Sequence, residues 1–223
     1  MGLMLLRTVL ITVYGILAAL TIIVDYFSKP VLGYITKPLL MPLLTVFYYY
    51  TACKLNIYIV FALIAAFITI LFMLNQKKNF NKLIIIFFIS LFNILFSIAV
   101  LKTNYYLEYI PVWFYLTLIP FTIIYILAFR KIYIKTAKTS IRLLIILYSI
   151  SSIVLIFTII SRAWKYSSMS LCLPIIGLIL MSFSSILFIL NDYFKKIKNT
   201  DLLINTAGIY GVLILIMGVI PDW

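Results

Sequence analysis

Apolar residues run in long blocks along this chain, and the polar residues gather in short interruptions between them. An α-helix needs about 20 mostly apolar residues to cross the hydrocarbon core of a bilayer. Eight blocks meet or approach that length, at residues 4–25, 38–52, 57–74, 83–101, 112–129, 143–161, 171–191 and 202–220. The second is short unless residues 31–36 extend it. The pattern predicts an all-α fold, an eight-helix transmembrane bundle with short connections. It forms a single integral membrane domain over residues 1–223. Connections this short make neighbouring helices antiparallel.

Composition agrees. The chain is 66% hydrophobic and 10% charged, with a mean hydropathy of +1.24. Soluble domains carry about 25% charged residues, so a water-facing surface is excluded. A soluble enzyme, a secreted disulfide scaffold and a nucleic-acid module go with it. The net charge of +13 comes from 18 Lys and Arg placed in the connections, where they orient helices.

Lys29, Lys37, Lys77, Lys78, Lys82, Arg130, Lys131, Lys135, Lys138, Arg142, Lys195, Lys196 and Lys198 fall on one side. Arg7, Lys54, Lys102, Arg162 and Lys165 fall on the other. The richer side belongs in the cytoplasm, which places both termini outside. The first block lacks a small-residue cleavage site after its apolar run, so it is expected to remain as a helix. Tyr48, Tyr49, Tyr50, Tyr105, Tyr106 and Trp113 fall near outer ends, the depth that suits an aromatic ring with a polar tip.

Chemistry is scarce. There is no histidine, which removes the commonest general base and metal ligand. Cys53 and Cys172 are too few for a metal site; both fall near outer ends, where a disulfide is conceivable in an oxidising compartment. Neither a metal nor a cofactor is expected. The acidic residues are Asp25, Glu108, Asp192, Asp201 and Asp222. Asp25 and Asp192 read as solvated helix ends beside Lys29 and Lys195.

Polar residues inside the blocks are costly in hydrocarbon unless they face the bundle interior. Serines and threonines such as Thr69, Ser184 and Ser185 can bond back to a carbonyl one turn earlier. Asn93, Asn191, Asn205 and Tyr210 carry more hydrogen-bonding capacity, and are candidate cavity residues; for each asparagine, interhelical bonding is the simpler reading. No lysine stands at a helix centre and no arginine ladder is present, which excludes a Schiff-base pigment and a voltage sensor.

Two stretches carry a resemblance. Ile35-Thr36-Lys37-Pro38-Leu39-Leu40-Met41-Pro42 resembles the Lys-Pro-Leu opening of the second helix in the lysoplasmalogenase-like (YhhN) family of membrane proteins. Ser184 through Lys196, running on to Asn205–Tyr210, is similar to the seventh helix, basic turn and eighth helix of that family. The resemblance implies eight helices and hydrolysis of the vinyl ether bond of lysoplasmalogens to a fatty aldehyde and a glycerophospho-base. Such chemistry needs an acid to protonate carbon and a carboxylate to guide water.

The family's helix-three Asp falls on Thr69 here, its helix-seven Asp on Ser185 after Ser184, and its helix-four His near Leu91. With both carboxylates replaced, the resemblance implies a lipid-binding descendant: a lysophospholipid or ether lipid as partner, with Lys37 at the phosphate. The alternative is an active hydrolase in which Asp192, two turns after Ser185, supplies the acid. Lys37, Thr69, Ser185 and Asp192 all fall in the expected cytoplasmic third. A third reading is an assembly partner for another membrane protein, packing through its serine-rich helices. The Ile-, Lys-, Asn- and Tyr-heavy usage suggests the inner membrane of an AT-rich bacterium.

Overall fold

Seven helices form among the described residues of the computed structural model, and there are no strands. The structure describes residues 2–27, 30–52, 54–74, 79–103, 116, 119–120, 122–123, 126–127, 130, 139–165, 172–193 and 200–220. The helices are α1 (Gly2–Tyr26), α2 (Pro30–Thr51), α3 (Ile57–Met73), α4 (Asn79–Thr103), α5 (Thr139–Lys165), α6 (Cys172–Tyr193) and α7 (Thr200–Val219). Six are long and apolar enough to cross a membrane; α3, with 17 residues, is the shorter one. The all-α, multi-pass membrane character expected from the blocks is thus present. The count of eight is not reached, because the expected helix at 112–129 lies mostly outside the described residues. Positions 119, 120, 122, 123, 126 and 127 within it are helical. Cys53, Tyr105, Tyr106 and Trp113 also lie outside the described residues.

The second helix differs most from expectation. It begins at Pro30 and not at residue 38, so residues 31–36 belong to it, and Pro38 and Pro42 stand inside it. Each proline lacks an N–H, so the carbonyls of Tyr34 and Pro38 lose their usual helical donors. Membrane helices tolerate this because neighbouring groups satisfy the freed carbonyls. The longer helix also moves Lys37 out of the connection and into a membrane-spanning segment.

The chain divides into two compact units, residues 1–56 with 168–223, and residues 57–167. In the first, α1 and α2 form a hairpin, α6 and α7 form another, and α1 packs on α7. Helix α7 is buried at Gly211, Val212, Leu213, Leu215 and Ile216 in near succession, so its second half is covered on most sides, and it packs against α1, α2 and α6. In the second unit, α4 packs against both α3 and α5.

Helix α1 shows how the membrane pattern divides its faces. Tyr14, Ala18, Thr21 and Val24 are buried, whereas Leu5, Val9, Val13, Ile16, Leu20 and Ile23 are exposed. An outward stripe of large aliphatic side chains is what a lipid-facing helix presents, since the bilayer is as apolar as the side chains.

The α6–α7 contact is close because glycines line it. A Cβ added at Gly177 would lie 2.5 Å from the Leu215 backbone nitrogen, and one at Gly211 would lie 2.9 Å from that of Met181. A Cβ at Gly218 would overlap the Pro174 ring. Small residues allow this approach, which supplies the van der Waals contact that holds membrane helices together.

Candidate functional site

The polar chemistry of the first unit gathers where the end of α1 meets the start of α2 and of α7. The Lys37 ammonium lies 2.7 Å from Asp25 Oδ1, with side chains only 18% and 14% exposed. Asn205 Nδ2 donates to the other Asp25 oxygen, Oδ2, at 2.7 Å. One carboxylate therefore ties three helices together. Gly33 lies against this pair, since a Cβ there would sit 3.8 Å from Lys37 Cε and 3.9 Å from Asp25 Oδ1. An ion pair this little exposed depends on close mutual contact and added hydrogen bonds, one of which Asn205 provides.

The helices place these groups for local reasons. Tyr14, Ala18, Thr21 and Asp25 recur every three or four residues, so they share one face of α1. That face meets α7: the Tyr14 hydroxyl donates to the Ile209 carbonyl at 3.1 Å, one turn along from Asn205. Ser184 of α6 donates to the Ile204 carbonyl at 2.7 Å, so α7 is fixed in register from both sides. Gly208 keeps that second link open, because a Cβ there would lie 3.1 Å from Ser184 Oγ.

Of the residues singled out from the sequence, Lys37, Ser184, Ser185, Asn191, Asp192, Asn205 and Tyr210 belong to the first unit, and Thr69 and Asn93 to the second. Lys37 and Asn205 meet through Asp25. Ser185 and Tyr210 are part-buried, as is Asn191 near the end of α6. Asp192 stands in the last turn of α6, and its side chain lies outside the described residues. Thr69 is buried and donates to the Ala65 carbonyl at 2.9 Å, one turn earlier in its own helix. Asn93 donates to Ser152 Oγ at 3.0 Å and Ser151 Oγ at 3.4 Å, joining α4 to α5 as interhelical bonding would.

Two readings are corrected. Asp25 is not a solvated helix end: Lys37 reaches it because α2 starts eight residues earlier than its apolar block. Tyr48 is not an interfacial anchor like its exposed neighbours Tyr49 and Tyr50. It is buried, and its hydroxyl accepts the Asn56 N–H at 3.0 Å. Tyr14, also absent from the sequence-based candidates, had a signal in its spacing with Asp25 on one helix face. Among the described residues no group of His, Cys, Asp or Glu could hold a metal ion.

In this arrangement Asp25 acts as an acceptor on both oxygens, so the cluster can hold and orient a polar ligand group through Lys37 and Asn205. Comparison with known protein families, with characterised proteins and with solved structures finds no match to this chain.

Proposed function

We propose that this multi-pass membrane protein binds a lysophospholipid or ether lipid within the bundle and does not hydrolyse it. One observation carries the reading: a Lys37–Asp25–Asn205 cluster, largely removed from water, inside membrane-spanning segments. Ionisable groups are costly inside such segments, and a pair held there marks a candidate ligand site.

In this reading the chain is a diverged member of the lysoplasmalogenase-like family. Support comes from the Lys37-Pro38-Leu39 stretch, the eight apolar blocks and the Ser184–Lys196 stretch. The proposal includes the eighth helix over 112–129, a single membrane domain, a bacterial inner membrane and both termini outside. The family's acidic positions hold Thr69 and Ser185, and hydroxyl groups do not protonate a vinyl ether near neutral pH. Thr69, moreover, has its hydroxyl engaged within its own helix.

The test is aldehyde release from a 1-alkenyl lysophospholipid by the detergent-purified protein, run beside Asp192→Asn, with extraction of copurified lipid. The expected result is no aldehyde and a single-chain lipid in the extract. Aldehyde release that disappears in Asp192→Asn would make the protein a hydrolase with a relocated acid.

A further inference from the structure

Two basic side chains of the α1–α2 hairpin are answered in different ways. Towards the connected end, Lys37 meets the Asp25 carboxylate at 2.7 Å. At the open end stands Arg7, the third residue of the span Leu5–Tyr26. Its Nη2 donates to the carbonyl of Thr51, the last residue of α2, at 3.0 Å. Both helices end there, so this guanidinium stands at one face of the membrane, about 27 Å along α1 from Asp25.

The guanidinium is a permanent positive charge with five N–H groups. The Thr51 carbonyl takes one of them and brings no countercharge. Nε is buried and has no hydrogen-bond partner. Among the described residues no carboxylate pairs with Arg7. The acids whose side chains are described, Asp25 and Asp201, both lie at the opposite end of the unit: Asn205, one turn after Asp201, bonds Asp25. Exposed Lys54, three residues past the end of α2, adds to the positive charge near Arg7. Orientation does not account for Arg7, because it falls on the side poorer in Lys and Arg. Capping of α2 accounts for one N–H.

Arg7 is part-exposed, and Leu5, Leu6 and Val9 around it on α1 are exposed, so this end of α1 faces lipid. What surrounds a lipid-facing guanidinium at a helix end is the headgroup layer. Phosphate oxygens there supply both things the protein does not, a negative charge and several acceptors that match a planar guanidinium. We infer that Arg7 is a binding residue for a phosphate group at the membrane face, carried by a phospholipid or present as free phosphate. The site is at the other end of the hairpin from the Lys37 cluster and does not depend on the lipid reading of that cluster.

The experiment is native mass spectrometry of the full chain in dodecyl maltoside with three probes. These are dioleoylphosphatidylglycerol, dioleoylglycerol as its phosphate-free counterpart, and inorganic phosphate. The phospholipid is expected to bind about tenfold more tightly than the diacylglycerol. Arg7→Gln keeps an N–H for the Thr51 carbonyl and removes the charge, so it should abolish that preference. Arg7→Lys keeps the charge without the planar fork and should retain only part of it, which gives a second reading if Arg7→Gln does not fold. Lys54→Gln should leave the preference unchanged, which separates a site at Arg7 from general attraction to a basic surface. A guanidinium that only caps α2 would lower the melting temperature in both Arg7 variants and leave the preference intact; that result would overturn the inference. So would a parent that distinguishes neither the two lipids nor inorganic phosphate, or an equal loss of preference in Lys54→Gln. Binding of inorganic phosphate that depends on Arg7, with no preference between the lipids, would uphold the site and make free phosphate its ligand.

Discussion

Asp25 shows how much a single side chain depends on its partners. Its carboxylate answers Lys37 on one oxygen and Asn205 on the other, within segments that span the membrane. Removing one member of a buried pair costs more than the pair itself contributes, because the remaining charge stays away from water. Asp25→Asn is therefore expected to lower stability by about 3 kcal/mol, and Asp25→Asn with Lys37→Met by less than Asp25→Asn alone. Thermal unfolding in detergent of the parent, both single variants and the double variant closes the cycle. Additive losses in that cycle would mean that the two side chains do not interact. The charge of Asp25 was visible in the sequence, and so was its place on the Tyr14–Ala18–Thr21 face. Its partner was not, because the nearest lysine along the chain, Lys29, invited a local pairing.

At the scale of elements, glycine decides how near two helices come. Gly177 and Gly218 have no room for a methyl group, whereas an added Cβ at Gly15 meets nothing within 4 Å. Gly177→Ala and Gly218→Ala should each cost about 1–3 kcal/mol by forcing α6 and α7 apart. Gly15→Ala should leave the melting temperature unchanged or raise it slightly, since alanine is the better helix former. Equal effects at all three positions would remove the close-packing account of α6 and α7. Separation of these helices also threatens the Ser184–Ile204 bond, which sets the height of Asn205 against α1. The asparagines divide at this scale too: Asn93 joins α4 to α5 through two serines, and Asn205 joins α7 to an ion pair. Both are amides inside apolar blocks, and only the neighbouring helix distinguishes glue from site.

For the whole molecule, the arrangement of Lys and Arg predicts a topology that labelling can read. Single cysteines placed at positions 104–111 and at 131–138, in a chain with Cys53 and Cys172 replaced, should react with impermeant thiol reagents from opposite sides of intact cells or vesicles. The first set is expected outside, with the N-terminus, and the second inside. Labelling of both sets from one side would remove the eighth helix and with it the even count on which the orientation rests. Lys37, Ser184 and Asn205 share the first unit, whereas Thr69 sits in the second with its hydroxyl engaged at home. The polar cluster that forms in the first unit is built from Asp25, Lys37 and Asn205 on α1, α2 and α7.

The sequence by itself determined the solvent of this protein, its secondary structure and most of its helix positions. Those properties follow from local quantities, the length and apolarity of each block, which need no knowledge of neighbours. It also marked Asn205 as a polar group that hydrocarbon would not tolerate alone, but set Lys37 in a connection. The tertiary structure decided what answers them. Asn205 and Asp25 are 180 residues apart, and only the packing of α1 on α7 brings them to 2.7 Å. The start of α2 at Pro30 was left open by the sequence, because Thr36, Lys37 and Pro38 interrupt the apolar pattern while the helix continues through them. A polar residue in a membrane helix announces that it needs a partner; the fold alone chooses which one it gets.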